Sequence, residues 1–239
     1  MRLFSLFCLA ALLTLTACDF TGRRVRGDGN ITSRDHKITG FTGVDVSGAI
    51  DVIVTGDSVT SVRLETDNNL HEHIEVYEDH GVLHASTRNN INPDPTRGIK
   101  LYVSAPALNY FEASGACSIV SKNRITTSKP VEVGLSGAST LKLDIKAPSI
   151  RVDGSGASNI NLSGETRTLD IDGSGSTEVR AFGLLSETTN IGLSGAGTAE
   201  VYASVKLNVN GSGASDVRYK GNATVTSDLS GAGSLKKVE

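Results

Sequence analysis

A Ser-Gly-Ala triplet, or a near variant of it, recurs down the second half of this chain. Its central glycine falls at Gly115, Gly137, Gly156, Gly175, Gly195, Gly213 and Gly231, at separations of 22, 19, 19, 20, 18 and 18 residues, with an isolated earlier copy at Gly48. A period near twenty residues marks architectures that grow by stacking one structural unit on the next. The repeat therefore decides the fold before any local pattern is considered.

Aligned on that glycine, position minus four holds Phe111, Val133, Val152, Ile171, Ile191 and Val209, and position plus four holds Ile119, Leu141, Ile160, Val179, Val217 and Leu235. Position minus two holds Ala113, Leu135, Gly154, Gly173, Leu193 and Gly211. Side chains alternate along a strand, so minus four and minus two share a face, and their apolar character sends that face inward. Each coil reads as strand, Ser-Gly-Ala corner, strand, then a variable polar return such as residues 163–168 or 186–190. The expected fold is all-β: a right-handed parallel β-helix of about 18–22-residue coils, stacked at about 4.8 Å. The glycine permits the corner's backbone angle, and the alanine offers only a methyl where the wall turns inward. An antiparallel sandwich is the alternative, but few Asn-Gly or Asp-Gly reversals separate the repeats.

The chain begins differently. Arg2 and the apolar run Leu3 to Leu15 have the form of a secretory leader, too short to span a membrane. The run closes on Leu15-Thr16-Ala17-Cys18, which resembles a bacterial lipobox. That resemblance implies a leader over residues 1–17 and lipidation of Cys18, whose several acyl chains would hold the protein on a membrane. Asp19 to Lys37 is polar and lacks apolar periodicity, so residues 18–37 read as a flexible tether.

Residues 38–239 then form one domain, with N-terminal strands over 38–105 that start or cap the solenoid and the repeats over 106–239. Val52 and Val54, then Val62 and Leu64, flank Thr55-Gly56-Asp57-Ser58 as a hairpin, and Ile74 and Val76 face Leu83 and Ala85 across Asp79-His80-Gly81. Ile99, Leu101 and Val103 make a further strand. Between them, Asn89 to Gly98 carries two prolines and reads as an excursion loop.

Loss of Arg2 with the leader leaves 22 basic against 26 acidic side chains, a charge of about −4, so the field needed to gather nucleic-acid phosphates is missing. With Cys8 removed and Cys18 lipidated, Cys117 has no partner and reads as a small corner residue, in line with Ser139, Ser158, Thr177 and Ser215. Two groups deserve weighing as metal ligands: His71 and His73 on one strand face with His84 brought alongside, and Asp153 beside Asp172 in the outward minus-three column. Neither has the remaining parts of a metal motif, so no metal, cofactor or catalytic residue is assigned.

The succession GFTGVDVSGAIDVIVTGDS, DNNLHEHIEVYEDHGVLHAST and IKLYVSAPALNYFEASGACSI, followed by SGAS-type repeats, resembles the putative auto-transporter adhesin head GIN domain family from about Gly40 to about Lys220. The resemblance implies a β-helical, secreted or surface-associated protein, often a lipoprotein, and supplies no catalytic residues. The expectation is a non-enzymatic cell-envelope lipoprotein, adhesin-like, displayed on its lipid to a glycan or an envelope or surface protein. Which membrane carries it is open. A β-helical polysaccharide lyase or hydrolase is the alternative, although the acidic residues are dispersed and Trp is absent. A purely structural envelope role is the third.

Overall fold

The structure, a computed structural model, describes residues 22–239. Its N-terminal elements are β1 (Arg23–Arg26), β2 (Ile31–His36), β3 (Gly43–Gly48), β4 (Ile50–Gly56), β5 (Ser61–Asp67), a 3-10 helix (Asn68–His73), β6 (Ile74–Asp79), β7 (Val82–Thr87), β8 (Ile91–Asp94) and β9 (Ile99–Ala105). The repeats supply β10 (Tyr110–Gly115), β11 (Ser118–Ser121), β12 (Ile125–Thr126), β13 (Val131–Leu135), β14 (Thr140–Gly154), β15 (Asn159–Gly175) and β16 (Glu178–Gly195). They end with β17 (Thr198–Tyr202), β18 (Lys206–Gly213), β19 (Asp216–Lys220), β20 (Thr224–Gly231) and β21 (Ser234–Lys237).

The fold is a parallel β-helix. Strands that precede the corner stack in one parallel wall running β7, β3, β10, β13, the ends of β14, β15 and β16, then β18 and β20. Strands that follow the corner form a second wall: β9, β4, β11, the starts of β14, β15 and β16, then β17, β19 and β21. A third, shorter wall joins β12 to the middles of β14, β15 and β16. The polar returns at 163–168 and 186–190 are thus not connectors: β15 and β16 run through them as strand, because their backbones find partners in the coils on either side.

Inside, the minus-four and plus-four columns are buried from Phe111 to Val209 and from Ile119 to Val217. The minus-two column mixes large and small residues along the rod, and two of its leucines pack over glycine neighbours. A Cβ on Gly173 would meet Leu193 Cδ2 at 2.6 Å, and one on Gly211 would meet Leu229 Cδ2 at 2.6 Å, so each leucine fills the space its glycine neighbour leaves.

The corner glycine is required twice over, as Gly156 shows: its φ is +73°, and an added Cβ would lie 2.7 Å from the carbonyl oxygen of Gly137 in the adjoining coil. Ala157 N donates to that same oxygen at 2.8 Å, and the corner hydroxyl two residues after the glycine turns inward to donate to the preceding serine carbonyl, as in Ser158 Oγ to Ser155 O at 2.6 Å. Cys117 takes this small inward position, its Sγ donating to Ser114 O at 3.3 Å. The alanines depart from expectation. Ala116, Ala138 and Ala157 are exposed on the outer edge of the corner, because the backbone turns at the glycine before them and the next inward position is the hydroxyl.

The N-terminal region overturns three readings. The segment expected as a tether contains β1, parallel to β8, and β2, antiparallel to β5. Its polar residues hide a pairing whose partners lie far away in sequence. The excursion loop Asn89 to Gly98 accordingly contains β8. The expected hairpin of β4 with β5 does not form either, since β9 lies between them, parallel to β4 and antiparallel to β5. The hairpin of β6 and β7 forms, with Val76 opposite Ala85, but Ile74 pairs with Thr87 and Leu83 with Glu78. The early copy at Gly48 belongs to the corner stack: Gly115 pairs with it, and Ala116 N donates to Gly48 O at 2.7 Å.

Candidate functional site

On the outer face of the pre-corner wall, alternation brings the minus-five, minus-three and minus-one residues of successive coils into straight files. The minus-three file runs Glu112, Gly134, Asp153, Asp172, Gly192, Asn210 and Asp228, each the ladder neighbour of the next. The minus-one file is serine throughout, from Ser114 to Ser230. Between them lies a groove of about 840 Å³ that follows the rod from Glu112 to Ser230. Its hydroxyls are lightly committed: Ser155 and Ser174 reach the carbonyls of Leu135 and Gly154 only at 3.4 and 3.5 Å.

The aspartates weighed as metal ligands are both engaged by Arg151. Arg151 donates to Asp153 through Nε and Nη2 at 2.9 and 3.0 Å, and to Asp172 through Nη2 at 2.9 Å, so one guanidinium supplies the positive charge that a metal would bring. Asp170, Asn190 and Asn208 continue the rim as a file of side-chain hydrogen bonds of 2.6 Å each.

The histidines do not gather. His71 and His73 lie in the 3-10 helix and not on a strand, because Asn68, Asn69 and Leu70 leave the sheet after Asp67. His71 is buried, its Nε2 3.0 Å from Thr32 Oγ1. His84, on β7, instead bonds Asp45 through Nδ1 at 3.0 Å and stacks on Tyr77 with ring centroids 5.1 Å apart. Asp45 is in turn the ladder neighbour of Glu112, which accepts a hydrogen bond from Tyr110. Burial raises the Asp45 carboxyl above its usual range, Glu112 adds to this, and His84 opposes it. Glu112, at the end of the groove, thus belongs to a cluster with Tyr77, His84, Asp45 and Tyr110 assembled from distant segments, and no local motif announces it.

Cys117 is buried, and burial pushes its thiol further from ionisation. Among the described residues no group of three or more His, Cys, Asp or Glu converges as a metal site. Cys18 and the leader lie outside the described residues.

A parallel β-helix with an antiparallel N-terminal closure and a groove along one wall defines the structural class. Within it, the chain belongs to the family described as putative auto-transporter adhesin, head GIN domain, whose model matches residues 40–223. Similar folds occur in a putative adhesin of Bacteroides fragilis NCTC 9343 (TM-score 0.82, 18% identity, covering 90% of this chain and 100% of that one) and in a putative lipid binding protein of Parabacteroides distasonis ATCC 8503 (TM-score 0.73, 19% identity, 91% and 100%). A putative adhesin of the latter organism is also similar (TM-score 0.71, 24% identity, 90% and 100%). None of the curated proteins compared with the chain matches it.

Proposed function

We propose that this protein is a non-enzymatic binding module of the bacterial cell envelope, anchored through lipid on Cys18, whose rigid rod presents its groove to an extended partner. The observation that carries this reading is the groove itself: a continuous, open channel of about 840 Å³, edged by serines and carboxylates and crossing successive coils, suits a linear chain better than a compact metabolite. The family description and the names of the similar folds agree with an adhesin-like role. Arg151 speaks against the alternative of glycan cleavage, since it ion-pairs with both neighbouring carboxylates, Asp153 and Asp172, that an acid and base pair would need.

Screening the purified chain from Thr21 onward against a glycan array and envelope extracts tests the binding role. Retention of a glycan or surface protein, reduced by substitutions in the groove, is the expected result. Capture that survives every groove substitution would remove the groove from the account. For the anchor, intact-mass measurement of the membrane-extracted protein should show Cys18 as residue one, carrying diacylglycerol and an acyl chain. A bare N-terminus elsewhere overturns it.

A further inference from the structure

We propose that residues 22–37, which strap the N-terminal end of the rod, are a docking surface for anionic lipid headgroups that seats this end on the membrane and stands the rest of the rod away from it. The proposal rests on the reading of Cys18 as the lipid anchor.

The reach of that anchor is the first ground. The strap is bound to the body from its start: Arg23 N donates to Asn90 O at 2.7 Å, β1 pairs with β8, Gly27 N donates to Asp94 O at 2.9 Å, and β2 pairs with β5. A Cβ on Gly27 would collide with the Asp67 carboxylate, so the strap crosses directly over that buried group and donates to it from Gly29 N. Five residue steps separate Cys18 from Arg23, at most roughly 18 Å however they are arranged. Lipid on Cys18 therefore holds this end of the rod beside the headgroups, at a high effective concentration.

Charge is the second ground. The strap carries Arg23, Arg24, Arg26, Arg34 and Lys37 against Asp28 and Asp35, all of them exposed. Among the described residues, Arg24 alone of the five cations is in an ion pair, with Asp94 at 2.9 Å, while Arg34 donates to the neutral Asn68. On the same closure, exposed Arg97 adds to this charge and exposed Glu72 opposes it. Residues 38–239 hold 17 basic and 23 acidic side chains, so the sign of the charge reverses between strap and body. A basic segment beside a lipid anchor is drawn to an anionic surface, and the attraction fades beyond a Debye length of about 8 Å.

The body supplies the orientation. The pre-corner wall is nine strands deep from β7 to β20, which puts its far end roughly 38 Å from the closure at the strand spacing. Laying the groove side down would press Glu112, Asp153, Asp172 and Asp228 toward a surface of like charge. Attraction at one end and repulsion along that side raise the rod and leave its groove open to solvent. An acidic polymer offers the strap the same charge, but the anchor keeps only the lipid surface within reach.

The experiment places the mature lipid-bearing protein in vesicles of phosphatidylcholine, or of phosphatidylcholine mixed equally with phosphatidylglycerol, each with nitroxide on some headgroups. Cys117 is buried, so a dye can be directed to Ser33→Cys on the strap or to Ala232→Cys in the last coil. The strap dye should be quenched in the anionic vesicles, less so in neutral ones or at high salt, and the far dye in neither. Arg23→Gln, Arg24→Gln and Arg26→Gln together should lower the seated-to-lifted ratio at least about tenfold, with thermal stability unchanged because these side chains are exposed. Lys236→Gln with Lys237→Gln, which removes charge from the far end, should leave the ratio as it was. Strap quenching that ignores phosphatidylglycerol and the triple variant overturns the docking surface while the anchor stands. Equal quenching of both dyes overturns the upright orientation. Release of the strap by a soluble oligouronate, at a charge concentration matching the lipid's, would reassign it to an acidic polymer. Intact mass showing no lipid on Cys18 removes the anchor and this inference together.

Discussion

The two ends of the rod close by different means. At the N-terminal end the parallel walls are finished by antiparallel strands: β6 against β7 on one wall, β5 against β9 and then β2 against β5 on the other. Asp67, fully buried, ties this closure together by accepting from Gly29 N at 2.8 Å, Thr96 N at 2.8 Å and Thr96 Oγ1 at 2.7 Å. At the other end no strand among the described residues lies beyond β20 and β21, and the change is one of composition. The inward columns that carry Val209 and Val201 in earlier coils reach Ser227 and Lys237 in the last, and Leu229 and Leu235 are half-buried. One end is sealed by backbone pairing and a specific carboxylate, the other by replacing apolar side chains with polar ones. A seal of the first kind can be broken at one atom, whereas the second fades gradually.

The largest effect sharpens the contrast between both ends and the middle. Gly156→Val places a branched side chain at positive φ and against the Gly137 carbonyl, and should cost about 4 kcal/mol from backbone strain and overpacking together. Chemical denaturation should show that loss, with hydrogen exchange rising first in the coils on either side of residue 156.

Asp67→Ala should come next. Removing the acceptor leaves two amides and a hydroxyl without a partner, at about 3 kcal/mol. Exchange should rise over residues 22–36 and 94–98 while the repeats from β13 onward keep their protection. Uniform loss along the whole rod would show that the closure and the repeats are one cooperative unit.

Acidification tests the same closure more gently. Burial lowers the His36 pKa, with Arg34 adding to it and Asp35 opposing. Burial likewise lowers that of His71, opposed by the Thr32 carbonyl and reinforced by Arg34 and His36. His36 Nε2 and His71 Nδ1 are buried without a hydrogen-bond partner. A depressed histidine pKa means the unfolded chain binds the proton first. Stability from these groups is therefore complete above the free histidine value of about 6.5 and is lost as pH falls below it toward the folded values. Asp67 acts lower still: burial would raise its pKa, but the hydrogen bonds from Thr96 and Gly29 outweigh that and lower it, so its contribution disappears only below the ordinary carboxylate range. Lowering the pH from neutral should reduce the exchange protection of β2, measured against the intrinsic rate at each pH, before that of any repeat, and His71→Asn should flatten that response.

The smallest change in stability is expected at the far end. Ser227→Val with Lys237→Val should shift unfolding by under about 1 kcal/mol, since both sites are exposed. The same pair should make sedimentation concentration-dependent, because an apolar rim beside unpaired strand edges favours end-on association. A strictly monomeric variant would show that those edges are already protected by shape.

The repeats were readable from sequence because each coil meets a near copy of itself, so one period specifies inward columns, corner and pairing partner together. Phe111 to Val209 and Ile119 to Val217 lie where the alternation put them. Legibility failed wherever partners were unlike. Nothing in Arg23–Arg26 announces Ile91–Asp94, and nothing in the turn after β4 reveals that β9, some fifty residues on, will separate it from β5. The groove was half legible: its acidic file was visible as a column, while the Arg151 bridge and the convergence of His84, Asp45 and Glu112 depend on the stacking register and on Gly48 belonging to the same stack as Gly115.

The parallel walls carry a mechanical consequence. Each strand bonds to the coil above and below, so the backbone hydrogen bonds lie nearly along the length of the rod. A pull between its two ends loads them in tension, one coil after another, and not in shear along whole strands. Each coil that yields pays out 18 to 22 residues, roughly 60–75 Å of chain. Under such a load the rod would lengthen in regular instalments at low force, coil by coil.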